Sequence, residues 1–113
     1  MSKLVEVLAF LGALRDYSYI DRLSTALNEA SVYEALNDAI RAYLSLCQGK
    51  EKYETKEAVY ECPQVSGDEL EKEVEEVKKA VKGKPGGEVV RFSRELAMQA
   101  YAAIPKVRVE KKS

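Results

Sequence analysis

The sequence predicts a mainly α protein: about five helices in a bundle, with a small β-hairpin or strand insert between the third and fourth. Three observations predict it. Apolar residues recur at helical spacing in five separate stretches. Between the third and fourth, "KYETKEAVYECP" (52–63) changes to a Tyr/Thr/Val-rich, roughly alternating pattern. Apolar residues make up 46% of the 113 residues and charged residues 33%, a balance that suits one packed domain. We expect a helical domain over 1–105 with the insert at about 50–63, and a basic, flexible tail over 106–113.

The first helix is expected from Lys3 to Asp16, with Leu4, Val7, Leu8, Leu11 and Leu14 on a wide apolar face. Ala9, Phe10 and Ala13 broaden that face, so this helix belongs in the centre. Ser18 with Asp21 three residues on suggests a capping box opening the second helix, which ends at "NEAS" (28–31). Ser31 with Glu34 suggests another, opening a third helix that Gly49 stops. Tyr, Thr and Val then give one or two short strands, with a hairpin around "TKE" (55–57). Pro63 closes the insert.

Ser66 and Glu69 form the third expected capping box, ahead of a helix striped by Leu70, Val74, Val77 and Val81. Glu75 and Lys79 on it are spaced for an i,i+4 pair. "GKPGG" (83–87) breaks the chain. The fifth helix is expected from about Val89 to Ile104, ended by Pro105. Tyr43 and Tyr101 fall on apolar faces and are expected in the core; Tyr53 and Tyr60 are expected nearer the surface.

Much chemistry is missing. There is no histidine, so the commonest general base and metal ligand is absent. Two cysteines do not make a zinc site by themselves, and neither a phosphate-binding glycine loop nor a nucleophile elbow occurs. The carboxylates of "DELEKEVEE" (68–76) follow the solvent face of a helix, where nothing tunes them for acid–base work. We therefore expect no enzyme, no metal and no cofactor. Cys47 and Cys62 have two readings: small buried apolar groups, or a disulfide tying the end of the third helix to the strand region. No stretch approaches the ~18 apolar residues that cross a bilayer. The run Val7–Leu14 is bounded by Glu6, Arg15 and Asp16, unlike a signal-peptide core. A cytoplasmic protein without membrane or small-molecule partners is expected.

Net charge is −1, but it is unevenly spread. Residues 1–49 carry net −2, residues 50–82 net −3, and residues 83–113, with seven bases and three acids, net +4. The last third suits a polyanion. Lys84, Arg91, Arg94, Lys106 and Arg108 are the candidate nucleic-acid-binding residues, chosen on charge alone.

The order of elements carries a family resemblance. "YIDRLSTALNEASVYEALNDAIR" (19–41), the acidic helix "SGDELEKEVEEVKK" (66–79) and "VVRFSRELAMQAYAAI" (89–104) follow one another around the insert. This pattern resembles the small subunit of the archaeal type I-A CRISPR effector complex, or Cascade. Asp21, Arg22, Leu23, Ala26 and Leu27 carry the resemblance, with the third helix and the Arg94–Ile104 segment; it extends from about Leu4 to Ile104. The resemblance implies a non-catalytic, mostly helical subunit in antiviral defence. It implies as partners the effector's backbone subunits, other copies of the chain, and guide RNA or target DNA held without regard to sequence at the R-loop or displaced strand. The alternative is a helical protein-interaction adaptor or dimerising regulator that binds no nucleic acid.

Overall fold

The computed structural model describes residues 2–112; Met1, at the start of the expected domain, and Ser113, at the end of the expected tail, lie outside them. Five helices form the body: α1 (Lys3–Ala13), α2 (Ser18–Ser24), α3 (Glu29–Cys47), α4 (Gly67–Val81) and α5 (Gly86–Ala103). Strands β1 (Lys52–Glu54) and β2 (Ala58–Glu61) lie between α3 and α4, and β3 (Val109–Lys111) follows α5.

Helix α1 is the centre. Leu4, Val5, Val7, Leu8, Ala9, Phe10, Leu11 and Gly12 are all buried, so apolar residues cover it on every side and the other four helices pack around it. Phe10 meets Tyr43 of α3 edge to face at 6.4 Å. Gly12 allows the close crossing of the chain after α5: a Cβ there would lie 2.6 Å from Ile104 Cδ1. The α1 N-terminus is capped twice. Ser2 Oγ accepts from Val5 N at 3.1 Å, and the Glu73 carboxylate of α4 accepts from Lys3 N and Leu4 N at 2.9 and 3.1 Å.

Helix boundaries differ from expectation where two capping choices compete. α1 stops at Ala13, short of Asp16, because Arg15 adopts φ 68°. Arg15 N bonds to Gly12 O at 2.9 Å and Asp16 N to Leu11 O at 3.1 Å, the paired closure of a Schellman motif. Asp16 then takes the role expected of Ser18, its Oδ1 accepting from Ser18 N and Oγ at 3.3 and 2.6 Å. Asn28, upstream of the expected Ser31 box, caps α3 by accepting from Ser31 N at 2.9 Å. Asn and Ser are comparably good caps, and the upstream choice adds three residues to the helix. α5 starts at Gly86, earlier than Val89, because the Pro85 carbonyl accepts from Glu88 N and Val89 N. The Ser66–Glu69 capping box is present on α4. Lys78, rather than Lys79, pairs with Glu75, at 3.4 Å, and its ammonium also lies 5.7 Å from the centre of the Tyr33 ring.

The hairpin turns at 55–57, with Tyr53 opposite Tyr60. The expected tail folds back onto it: β3 pairs antiparallel with β2, Val109 opposite Tyr60 and Lys111 opposite Ala58. A two-stranded hairpin is marginal alone, and β2 has an open edge for a third strand to satisfy. Glu110, Lys111 and Lys112 are consecutive charges, so no alternating pattern marks β3 in the sequence. The sheet turns Ala58 inward. Its outer face carries the ion pair Lys112 Nζ–Glu54 at 2.6 Å. Cys47 and Cys62 are joined by a disulfide, with Cα atoms 6.0 Å apart.

The Lys112 hydrogen bond, then its charge, hold the Glu54 carboxyl below its ordinary value. A depressed carboxylate stabilises the fold above its unfolded pKa, and that contribution is lost as pH falls through the folded value. We expect the Glu54 carboxyl, followed by NMR, to titrate at lower pH than an unpaired glutamate and to return to the ordinary range in Lys112→Ala. An ordinary value in the unaltered chain would refute the pairing.

Candidate nucleic-acid interface

The residues of α5 divide by helical geometry. Val89, Ser93, Leu96, Ala97, Ala100 and Ala103 face the core. Arg91, Arg94 and Met98 fall on the opposite side, all exposed. Neither arginine has a carboxylate within 4.0 Å among the described residues. Each guanidinium therefore keeps its hydrogen-bonding fork free. Lys84, also exposed and unpaired, lies just before α5, between Gly83 at φ 70° and Pro85.

Tyr101 continues this surface. It is 39% exposed, a correction of its expected place in the core. An apolar neighbourhood is not the same as burial: the Tyr101 ring stacks on Tyr17 at 6.2 Å, near the surface. Its hydroxyl donates to Asp21 Oδ1 of α2. That hydrogen bond, then burial, then the Asp21 charge raise the Tyr101 pKa above the ordinary phenol value. The phenol stays neutral and anchored, with its ring held against Tyr17. Met98 is 69% exposed, and Leu27, in the α2–α3 connection, is 71% exposed. Sequence reasoning misses Tyr17, Met98 and Leu27 as surface groups, since nothing in a single sequence tells which apolar side chains remain uncovered.

Lys106 and Arg108 are placed elsewhere. Twelve residues separate Arg94 from Lys106, roughly 18 Å along a helix at about 1.5 Å per residue. Lys106 and Arg108 line an open cavity of about 380 Å³ with Lys3, Glu6, Glu61 and Cys62. Lys3 is engaged with Glu6 at 3.6 Å, whereas Lys106 and Arg108 have no ion-pair partner among the described residues. The five candidates thus form two groups, Lys84 with Arg91 and Arg94, and Lys106 with Arg108.

Among the described residues, no three His, Cys, Asp or Glu side chains are grouped to hold a metal ion. No described helix is long and apolar enough to cross a membrane. The surface can neutralise phosphates through its guanidinium and ammonium groups and can stack planar rings on exposed aromatics.

No curated protein and no solved structure matches the chain. A family model described as CRISPR-associated protein (Cas_Csa5) matches residues 7–109. That span takes in α2 to α5, most of α1, strands β1 and β2, and the first residue of β3. The chain belongs to the CRISPR-associated Csa5 family, the small subunit of type I-A effector complexes.

Proposed function

We propose that this chain is a non-catalytic, cytoplasmic small subunit of an archaeal CRISPR RNA-guided effector, contributing sequence-independent contacts to guide RNA or target DNA. One observation carries the reading: Arg91 and Arg94 share the outer side of α5, free of acidic partners, on a surface that continues into Met98 and the Tyr17–Tyr101 stack. Lys84 extends the positive charge beside them, and Lys106 with Arg108 supply a second basic area. Guide pairing reads sequence in such complexes; the surrounding proteins need only meet backbone and shape. Backbone subunits and further copies of the chain would occupy other faces, and a net charge of −1 limits repulsion between copies.

The test is binding of a fluorescent single-stranded oligonucleotide, by the chain alone and in the assembled effector, across a salt series. Arg91→Glu/Arg94→Glu is expected to weaken binding and flatten the plot of log affinity against log salt by about 1.4, or ~0.7 for each phosphate no longer neutralised. A salt-insensitive wild type, or charge reversal without effect, sinks the reading. The exposed Leu27 and Met98 are what favour the adaptor alternative. If Leu27→Ser/Met98→Ser abolishes association with effector subunits while charge reversal changes nothing, the chain is a protein-interaction module.

A further inference from the structure

Three cations outside the candidate set converge at a cleft of about 470 Å³ between the α1–α2 turn and the sheet. Arg15 comes from the turn after α1, Lys56 from the β1–β2 turn, and Lys111 from β3. Tyr60 and Val109, opposite one another on β2 and β3, supply an aromatic and an apolar wall. Glu57 is the one carboxylate on the lining, so the cleft keeps a net charge of +2. None of the three cations has an ion-pair partner among the described residues. They are far apart in sequence, and only the fold brings them together.

Arg15 carries an independent mark. Among the described residues it alone, other than glycine, has a positive φ; Gly49 and Gly83 are the others. It fills the left-handed position of the Schellman motif, where glycine fits without a Cβ penalty. An arginine here is worse for the backbone than a glycine, so its value to the chain lies in the side chain. That side chain lines the cleft.

We propose that Arg15, Lys56 and Lys111 form a further phosphate-binding site, taking the backbone of a single nucleic-acid strand, at the sheet side of the molecule and separate from the α5 surface and from the Lys106–Arg108 area. The proposal rests on the reading of the chain as a nucleic-acid-contacting subunit. Arg15 supplies a planar fork for one phosphate, and the two lysines act as point charges on its neighbours. The cleft is an open groove, which suits a continuous strand.

The experiment uses the full chain and a fluorescent 20-nucleotide oligothymidylate. Arg15→Gly is expected to keep or raise the melting temperature while flattening the salt plot by about 0.7, and Arg15→Gly/Lys56→Gln/Lys111→Gln by about 2 in all. Lys72→Gln/Lys79→Gln/Lys82→Gln removes the same charge from exposed positions on and just after α4 and is expected to leave the slope unchanged. If the triple variant loses its sheet by circular dichroism, Arg15→Gly alone decides the matter. Equal flattening by the cleft and control variants would mean net charge alone is felt, and overturns the site. No flattening by the cleft variants, with weaker binding in Arg91→Glu/Arg94→Glu, overturns the site and leaves the α5 reading standing. No salt dependence in any variant removes both.

Discussion

Phe10→Ala is expected to destabilise the fold by about 3–5 kcal/mol, the largest single-residue effect in this chain. Phe10 is fully enclosed, about two turns into the central helix. Its truncation removes buried apolar area and leaves a cavity between α1 and α3 that neither helix can easily close, since α1 is held at its start by Glu73 and Ser2. The edge-to-face pair with Tyr43 disappears as well, a further ~0.5–1.5 kcal/mol. Tyr43 is itself held, its hydroxyl donating to the Pro63 carbonyl at 2.5 Å, so its ring does not swing in to fill the gap. Natural domains have about 5–15 kcal/mol in total, so this change alone removes a large part of the margin. Urea unfolding should show a lower midpoint at unchanged slope. Phe10→Leu, which keeps more of the volume, should cost clearly less. A destabilisation below about 1 kcal/mol for the alanine variant would refute the central position of α1.

The same central helix is plain in the sequence. An apolar run from Val7 to Leu14 with few polar interruptions has nowhere to go but the middle of a small bundle. The stripes of α4 and α5, the Ser66–Glu69 box and the hairpin are legible for similarly local reasons: each depends on residues within one or two turns. The start of α3 is not, because Asn28 and Ser31 both cap well and the choice depends on tertiary fit. β3 is not, because a short charged segment becomes a strand only when β2 offers it an edge. Charge asymmetry marks the last third as basic, yet it cannot show that Arg94 and Lys106 belong to different areas. Nor can it show that Arg15, in the net-negative first segment, stands beside Lys111 from the basic one. Such juxtapositions are set by the packing of distant segments and leave no trace in spacing.

The second large effect concerns the sheet. Cys47, the last residue of α3, and Cys62, just after β2, close a loop around the whole hairpin, 15 residues apart in sequence and both buried. Cross-linking a loop of that size stabilises by about 3 kcal/mol, through the entropy it removes from the unfolded chain. The hairpin has little else to hold it, since Ala58 is the one residue of β1 and β2 that is fully buried. The destabilisation should therefore be uneven. Cys47→Ala/Cys62→Ala is expected to lower stability by about 3 kcal/mol and to speed amide exchange over 50–62 and 109–112, while α1 and α5 keep their protection. Reductant should do the same to the unaltered chain and add two hydrogens to its intact mass. Such a bond persists in an oxidising compartment, or inside the cells of hyperthermophiles. If reductant changes neither mass nor exchange, the two cysteines are separate buried thiols, the other reading the sequence allows, and the hairpin is held by β3, the Glu54–Lys112 pair and the packing of Tyr53 and Tyr60 against the core.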